Sequence, residues 1–228
     1  MLRITDARTG EPTAIPPGLL RVHAHVTGAD TSALRILLMA DVLARTLEMG
    51  GTPVVTVADP SAALRTRADD LGIRPMDPDA PGVGRVLHVL GRQDSAPGGP
   101  YVEVAPASGP PLGTGAEPAA VRLALLARPR RQAVDLDAAV LAETRETLGR
   151  WRKAVATWAT HPSRPVPERV RDELRAAWED DLDMAAVLEV LQRVEDADDM
   201  PEGARFETYA YADRLLGLDL TREIGAAT

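Results

Sequence analysis

The chain contains no cysteine. That excludes disulfides, thiolate metal ligands and cysteine nucleophiles together. Lys153 is the single lysine among 26 basic residues, an arginine bias that suits a GC-rich, actinobacterial genome. There is one phenylalanine, and aromatic residues make up 3% of the chain, so aliphatic side chains must fill the core. No apolar run approaches the roughly 18 residues of a membrane span. No signal-like N-terminus is present either, which points to the cytoplasm and to no membrane partner. A net charge of −8 argues against general nucleic-acid binding.

The 228 residues, 45% hydrophobic and 26% charged, have an ordinary globular balance and suffice for one or two domains. Leu19–Val26 alternates, with Val22, Ala24 and Val26 on one face and His23 and His25 on the other, as in a strand. Ser32 reads as the cap of a helix whose stripe is Ile36, Leu37, Ala40, Leu43 and Leu47, stopped at Gly50–Gly51. Val54–Val57 reads as a buried strand. Ser61 opens a second helix that Gly72 closes, and Val86–Leu90 and Tyr101–Ala105 read as further strands. Strands alternating with helices over short loops predict a parallel sheet. From Pro75 to Pro118, seventeen of 44 residues are Pro or Gly, a loop composition.

Asp137 caps a long helix with its stripe at Val140, Leu141, Thr144, Leu148, Trp151, Val155 and Trp158. Further helices are expected from Pro167, from Asp183, and over about Ala204–Leu216, the last stopped by Gly217. Short links between four helices suggest a bundle. The expected fold class is therefore α/β followed by α: a reduced Rossmann-like parallel sheet over residues 1–127 and a helical bundle over 128–228.

Three stretches carry a family resemblance. EPAAVRLALLA followed by VLAETRETLGRWRKAV, within Glu117–Val155, resembles the segment after the catalytic lysine loop of the cysteine-activating class I ligases, the cysteinyl-tRNA synthetase and mycothiol ligase family. LRITDARTGEPTAIPP resembles their opening strand and DDLDMAAVLEVLQ a late helix. The resemblance implies a Rossmann-like fold and adenylation chemistry, but the residues for that chemistry are missing. The family's His-x-Gly-His slot falls on Asp30-Thr31-Ser32-Ala33, and no histidine lies between His25 and His88. The loop that should hold Lys-Met-Ser-Lys-Ser is Pro106–Ala116, which has neither lysine nor arginine.

The family's zinc is held partly by cysteines, and this chain has none. His25 falls near the first family cysteine, and His88 matches a histidine in an Ile-His-Gly-Gly-Gly strand. His23, His25 and His88 are thus the residues that would hold a metal, against the plainer reading of ordinary sheet histidines. The cofactor expectation is none, neither zinc nor ATP. The helix start at Ser32 is a weak anion site on general grounds. Gly82-Val83-Gly84 and Gly113-Thr114-Gly115 lack phosphate-loop spacing and read as turns. Asp135, Asp137, Asp180, Asp181 and Asp183 read as caps and dipole partners at helix starts.

These features predict a non-catalytic relative that binds a protein partner or a second copy of itself through apolar surface left by the trimmed sheet. An altered or partner-completed ligase is the enzymatic alternative. An RNA-binding module is the third reading, using an arginine-rich face with Arg128, Arg130, Arg131, Arg145 and Arg152. The stripe of the long helix gives a direct test: Trp151→Ala should destabilise by about 3–5 kcal/mol in chemical denaturation if Trp151 is core, and an unchanged midpoint would place the stripe on the surface.

Overall fold

Apolar alternation in Leu20–Ala24 (β3) turns Leu20, Val22 and Ala24 inward and leaves Arg21 and His23 on the opposite face. The computed structural model describes residues 1–80, 82, 84–92, 94–109 and 117–225. The two Gly-x-Gly stretches and residues 110–116 of the lysine-loop region lie wholly or partly outside these. Before β3 stand two short antiparallel strands, Arg3–Thr5 (β1) and Pro12–Ala14 (β2). After it come Thr31–Met49 (α1), Val54–Val57 (β4), Ala62–Asp70 (α2), Arg85–Gly91 (β5) and Tyr101–Val104 (β6). β3, β4, β5 and β6 form one parallel sheet in the order β4-β3-β5-β6. The α/β reading of the first half therefore stands.

α1 packs against all four strands and is buried over most of its length. The opposite face sets Arg21, His23, His88, Tyr101 and Glu103 among Val55, Val57, Val86 and Leu90, where parallel sheets usually carry an all-apolar cover. This corrects the expected exposed apolar surface. Among the described residues, the large hydrophobic side chains left exposed are Met1, Leu19 and Ile224.

The second half is helical, as expected. Ala107–Ser108 (β7) comes before Pro118–Leu126 (α3), which leads through Val134–Asp135 (β8), paired with β7, to the long helix Ala138–Trp158 (α4). Glu168–Glu179 (α5), Met184–Glu195 (α6) and Glu202–Leu216 (α7) follow. Asp137 accepts from Val140 N at 2.8 Å and Asp183 from Ala186 N at 3.0 Å, so both cap as read. Leu148, Trp151, Val155 and Trp158 are buried against α7. Tyr209 stacks edge-on against Trp151 and Trp158 and donates to Leu191 O at 2.8 Å. Burial pushes its phenol well above its ordinary pKa. Gly217 ends α7 in the left-handed region, φ +61°, where a Cβ would lie 2.9 Å from Arg122 Nη2.

Buried arginines tie these elements together. Arg35, fully buried in α1, donates to Ala105 O at 3.0 Å, Gln132 O at 2.6 Å, Pro129 O at 3.1 Å and Arg128 O at 3.2 Å. Burial lowers its pKa to about 10, so it stays charged near neutrality. Arg122 donates to Leu71 O at 3.1 Å, Leu216 O at 2.5 Å and Asp41 Oδ2 at 3.0 Å. Asp41, 0% exposed, also accepts from Arg45 Nε at 2.9 Å and Arg74 Nε at 2.7 Å. One carboxylate thus compensates three guanidinium groups. Removing one partner of a buried ion pair typically costs about 3–5 kcal/mol. Asp41→Asn is expected to lose that much in urea denaturation, and a loss under about 1 kcal/mol would show that the arginines are held by carbonyls alone.

Candidate functional site

Strand order creates the site. β3 leads through α1 to β4 on one side, whereas β5 lies on the other side of β3. In open α/β sheets the crevice outside the strand ends at such a reversal is the usual ligand position. Here it opens into a pocket of about 340 Å³ at the start of α1, lined by Thr27, Asp30, Ser32, Ile36, Arg92 and Asp94. A neighbouring cleft of about 610 Å³ is lined by His23, His25, Thr27, Asp59, Asp94 and Ser95.

The α1 start differs from the expected one. Asp30, not Ser32, is the cap: its carboxylate accepts from Ala33 N at 2.8 Å. Ser32 Oγ instead donates to Ala107 O and accepts from Ala107 N, both at 3.0 Å. Both side chains suit a helix start, and a partner 75 positions away decided between them. At the helix start read as the Ser32 anion site, the Asp30 carboxylate takes the Ala33 N–H. The nearby cations are also engaged. Arg67 donates to Ala29 O, and Arg92 lies 3.6 Å from Glu103 and donates to Arg131 O at 3.3 Å.

The structure brings the three histidines together. Register pairs His23 with His88 and His88 with Tyr101, which sets these side chains in one row across the sheet. His25 follows just past the end of β3, its N–H donating to Val89 O at 2.8 Å. His25 Nε2 and His88 Nδ1 are 2.8 Å apart in a hydrogen bond. The His23 and His25 ring centres are 4.1 Å apart. His88 is 3% exposed, covered by the loop before β6. There Gly99, at φ +59°, passes so close that its Cβ would sit 2.5 Å from Val86 O and 3.2 Å from His88 Cδ2. Tyr101 Oη pins that loop by accepting from Ala96 N at 2.8 Å.

Burial lowers the pKa of His23 to about 4, helped by His25 and His88 beside it. Burial also lowers His25, opposed by Asp94, and lowers His88 together with its neighbour His25. All three imidazoles are therefore neutral near pH 7.

Of the five arginines read as one exposed face, Arg128, Arg131 and Arg145 are exposed, but Arg130 and Arg152 are buried. Arg130 donates to Glu103 O at 2.5 Å and Thr5 O at 3.1 Å and pairs with Asp181. Arg152 donates to Leu218 O at 2.8 Å and Asp219 O at 3.1 Å and pairs with Glu117. Asp181 is correspondingly a partner of Arg130 rather than a helix cap. Asp59 and Asp94 were not singled out from sequence. Each closely follows a strand's C-terminal end, β4 and β5 respectively, the position at which site residues of such sheets stand.

A Streptomyces griseus protein named L-cysteine:1D-myo-inositol 2-amino-2-deoxy-alpha-D-glucopyranoside ligase is 41% identical over 112 residues, covering 46% of this chain and 26% of its own length. Over this stretch the chain is similar to cysteine ligases. A protein of the same name from Thermobifida fusca is 38% identical over 114 residues, 47% of this chain and 26% of its own. One from Parafrankia is 43% identical over 77 residues, 34% of this chain and 16% of its own. The chain thus spans about a quarter of the length of the first of these cysteine ligases. No family model matches. Among the described residues, no helix is long and apolar enough to cross a membrane.

The histidine row has a pH signature. Unfolding returns the imidazoles to ordinary pKa values near 6.5, so as pH falls the unfolded state takes up protons that the folded state, with His23 at about 4, does not. Stability contributed by the row is thus intact above about pH 6.5 and falls as pH drops toward 4. Urea midpoints measured with chelator present should be lower at pH 5 than at pH 7, and less so in His23→Gln. An equal drop in that variant would assign the effect to other groups.

Proposed function

We propose that this chain is a non-adenylating relative of the cysteine ligases that acts by binding another macromolecule, either a protein partner or a second copy of itself. The observation that carries the first half is Asp30. Adenylation needs positive groups held close to the phosphates in a dry site. The helix start that faces the crevice instead carries a carboxylate bonded to Ala33 N at 2.8 Å. Asp59 and Asp94 line the adjoining cleft, so the local field opposes a polyphosphate. Arg67 and Arg92 are engaged on carbonyls and Glu103, and the sequence from Pro106 to Ala116 offers no cation.

The binding half is supported by a groove of about 550 Å³ between α3, α4 and α6. Leu123, Val140 and Leu188 line it with Glu143 and Glu189. The exposed Arg128 flanks it, so a partner would meet an apolar floor with charges of both signs at the rim. Complementary rim charge sets orientation and on-rate more than affinity. The reading puts the chain in the cytoplasm of an actinobacterium, in keeping with the Streptomyces and Thermobifida relatives.

Cysteine-dependent exchange of pyrophosphate into ATP is expected to stay at the blank. Loss of a single preorganised electrostatic contact lowers rates by about 10²–10³, and here several are absent. Clear turnover above the blank would support an altered ligase instead. Affinity purification of the full chain should recover a stoichiometric protein or the chain itself, and salt-sensitive recovery of tRNA would favour the RNA-binding reading.

A further inference from the structure

The face of the sheet opposite α1 holds a feature that packing does not account for. Parallel sheets normally bury branched apolar side chains on both faces. On this one, at the C-terminal end of β3 and beside it on β5, stand three imidazoles whose ligand nitrogens all lie within 4.8 Å of one another. The fourth histidine, His161, lies apart and pairs with Glu202 at 2.7 Å. Within the trio, a single hydrogen bond joins His25 and His88, and among the described residues the buried Nε2 of His88 has no hydrogen-bond partner. Three nitrogen lone pairs therefore converge with one shared proton between two of them.

We propose that His23, His25 and His88 bind a divalent transition-metal ion of the zinc class, with a fourth coordination position open to the cleft beside them. Tetrahedral zinc with Zn–N bonds of about 2.0–2.1 Å holds its ligand nitrogens roughly 3.3 Å apart. The His25–His88 pair, at 2.8 Å, need open only by about half an ångström to reach that spacing, the ion taking the place of the shared proton as that proton moves to the other nitrogen of its own ring. The scaffold limits how far the rings can drift. His23 and His88 sit on adjacent paired strands, His25 is fixed by its bond to Val89 O, and the Gly99 loop closes on His88.

The ligand set differs in kind from any thiolate site, because the chain has no cysteine. Imidazole-only sets suit zinc, copper, nickel and iron over calcium or magnesium. Neutral imidazoles leave the ion's charge uncompensated. Asp59 and Asp94 line the same cleft, and Asp94 is near enough to act on His25. Arg21 acts on His23 and His88 in the opposite sense. Three protein ligands with an open position is the pattern of zinc sites that take up water or a small donor ligand. The cleft of about 610 Å³ has room for a ligand bearing a carboxylate or a similar anionic donor. This proposal goes beyond the non-adenylating reading and does not depend on it.

The test uses the full chain, stripped with chelator. Cobalt(II) is titrated under visible absorption and zinc by calorimetry. One equivalent should bind, with the strong absorption of four-coordinate cobalt. His23→Ala and His25→Ala, both at half-exposed positions, should each weaken binding by at least about 10–100-fold, the loss seen when even a supporting partner is removed. His161→Ala should bind as the parent does. Circular dichroism of each variant separates loss of ligand from loss of fold. The proposal is overturned if no one-to-one binding occurs at micromolar metal, or if folded His23→Ala and His25→Ala bind unchanged. It is also overturned if His161→Ala loses binding to the same degree.

Discussion

Buried guanidinium groups bonded to backbone carbonyls hold this structure together. Arg35 gathers Ala105, Arg128, Pro129 and Gln132 onto α1, and Arg130 gathers Thr5, Glu103 and Asp181. Arg122 fastens the end of α7 to α3, and Arg152 fastens the chain after α7 to α4. A planar fork with five donors can satisfy several carbonyls at once, which an ammonium on a flexible stem does far less well. Most of these carbonyls belong to loops, and the others to strands β1 and β6 and the last residue of α7, where a ladder or helix leaves them without a partner. The arginine preference of the chain is thus put to structural use: connections such as 128–132 and 217–219 are held by guanidinium groups, Arg35 and Arg152 reaching them from helices.

The same fact explains what the sequence concealed. A cluster such as Arg128, Arg130 and Arg131 reads as a solvated charge run, because exposure is the common fate of charge. Nothing local distinguishes Arg130, which is buried, from its neighbours, which are not. Its partners Thr5 and Asp181 are 125 residues before it and 51 after it. Asp41 is similar, since its three arginine partners come from α1, α3 and the segment after α2.

Local chemistry was legible. Ser61, Asp137 and Asp183 cap where their residue type and the following stripe said they would. Gly51, Gly72 and Gly217 stop helices with positive φ. β2, β7 and β8 escaped notice because two or three residues carry too little alternation to register, and β1 was legible only through the resemblance of its stretch to an opening strand. The histidine site was half legible. Alternation alone set His23 and His25 on one face, but the approach of His88 required the strand order, which follows from how the helices pack. Asp30 and Ser32 illustrate the reverse, as equivalent local signals sorted by a distant partner.

The junction between α5 and α6 has a consequence for how the chain acquires its fold. Asp181 and Leu182 both take positive φ, 58° and 59°, and Asp181 is held there by Arg3 O, Thr5 N and Arg130. β1 therefore finds these partners in a segment about 176 residues away. During synthesis at roughly 5–20 residues per second, that wait lasts on the order of ten seconds or more. Until then Thr5 and its neighbours lack these contacts, and closing so long a loop slows the last step relative to the sheet and the helix pairs. β1, made before every other strand of the described residues, would be among the last elements to lock in place.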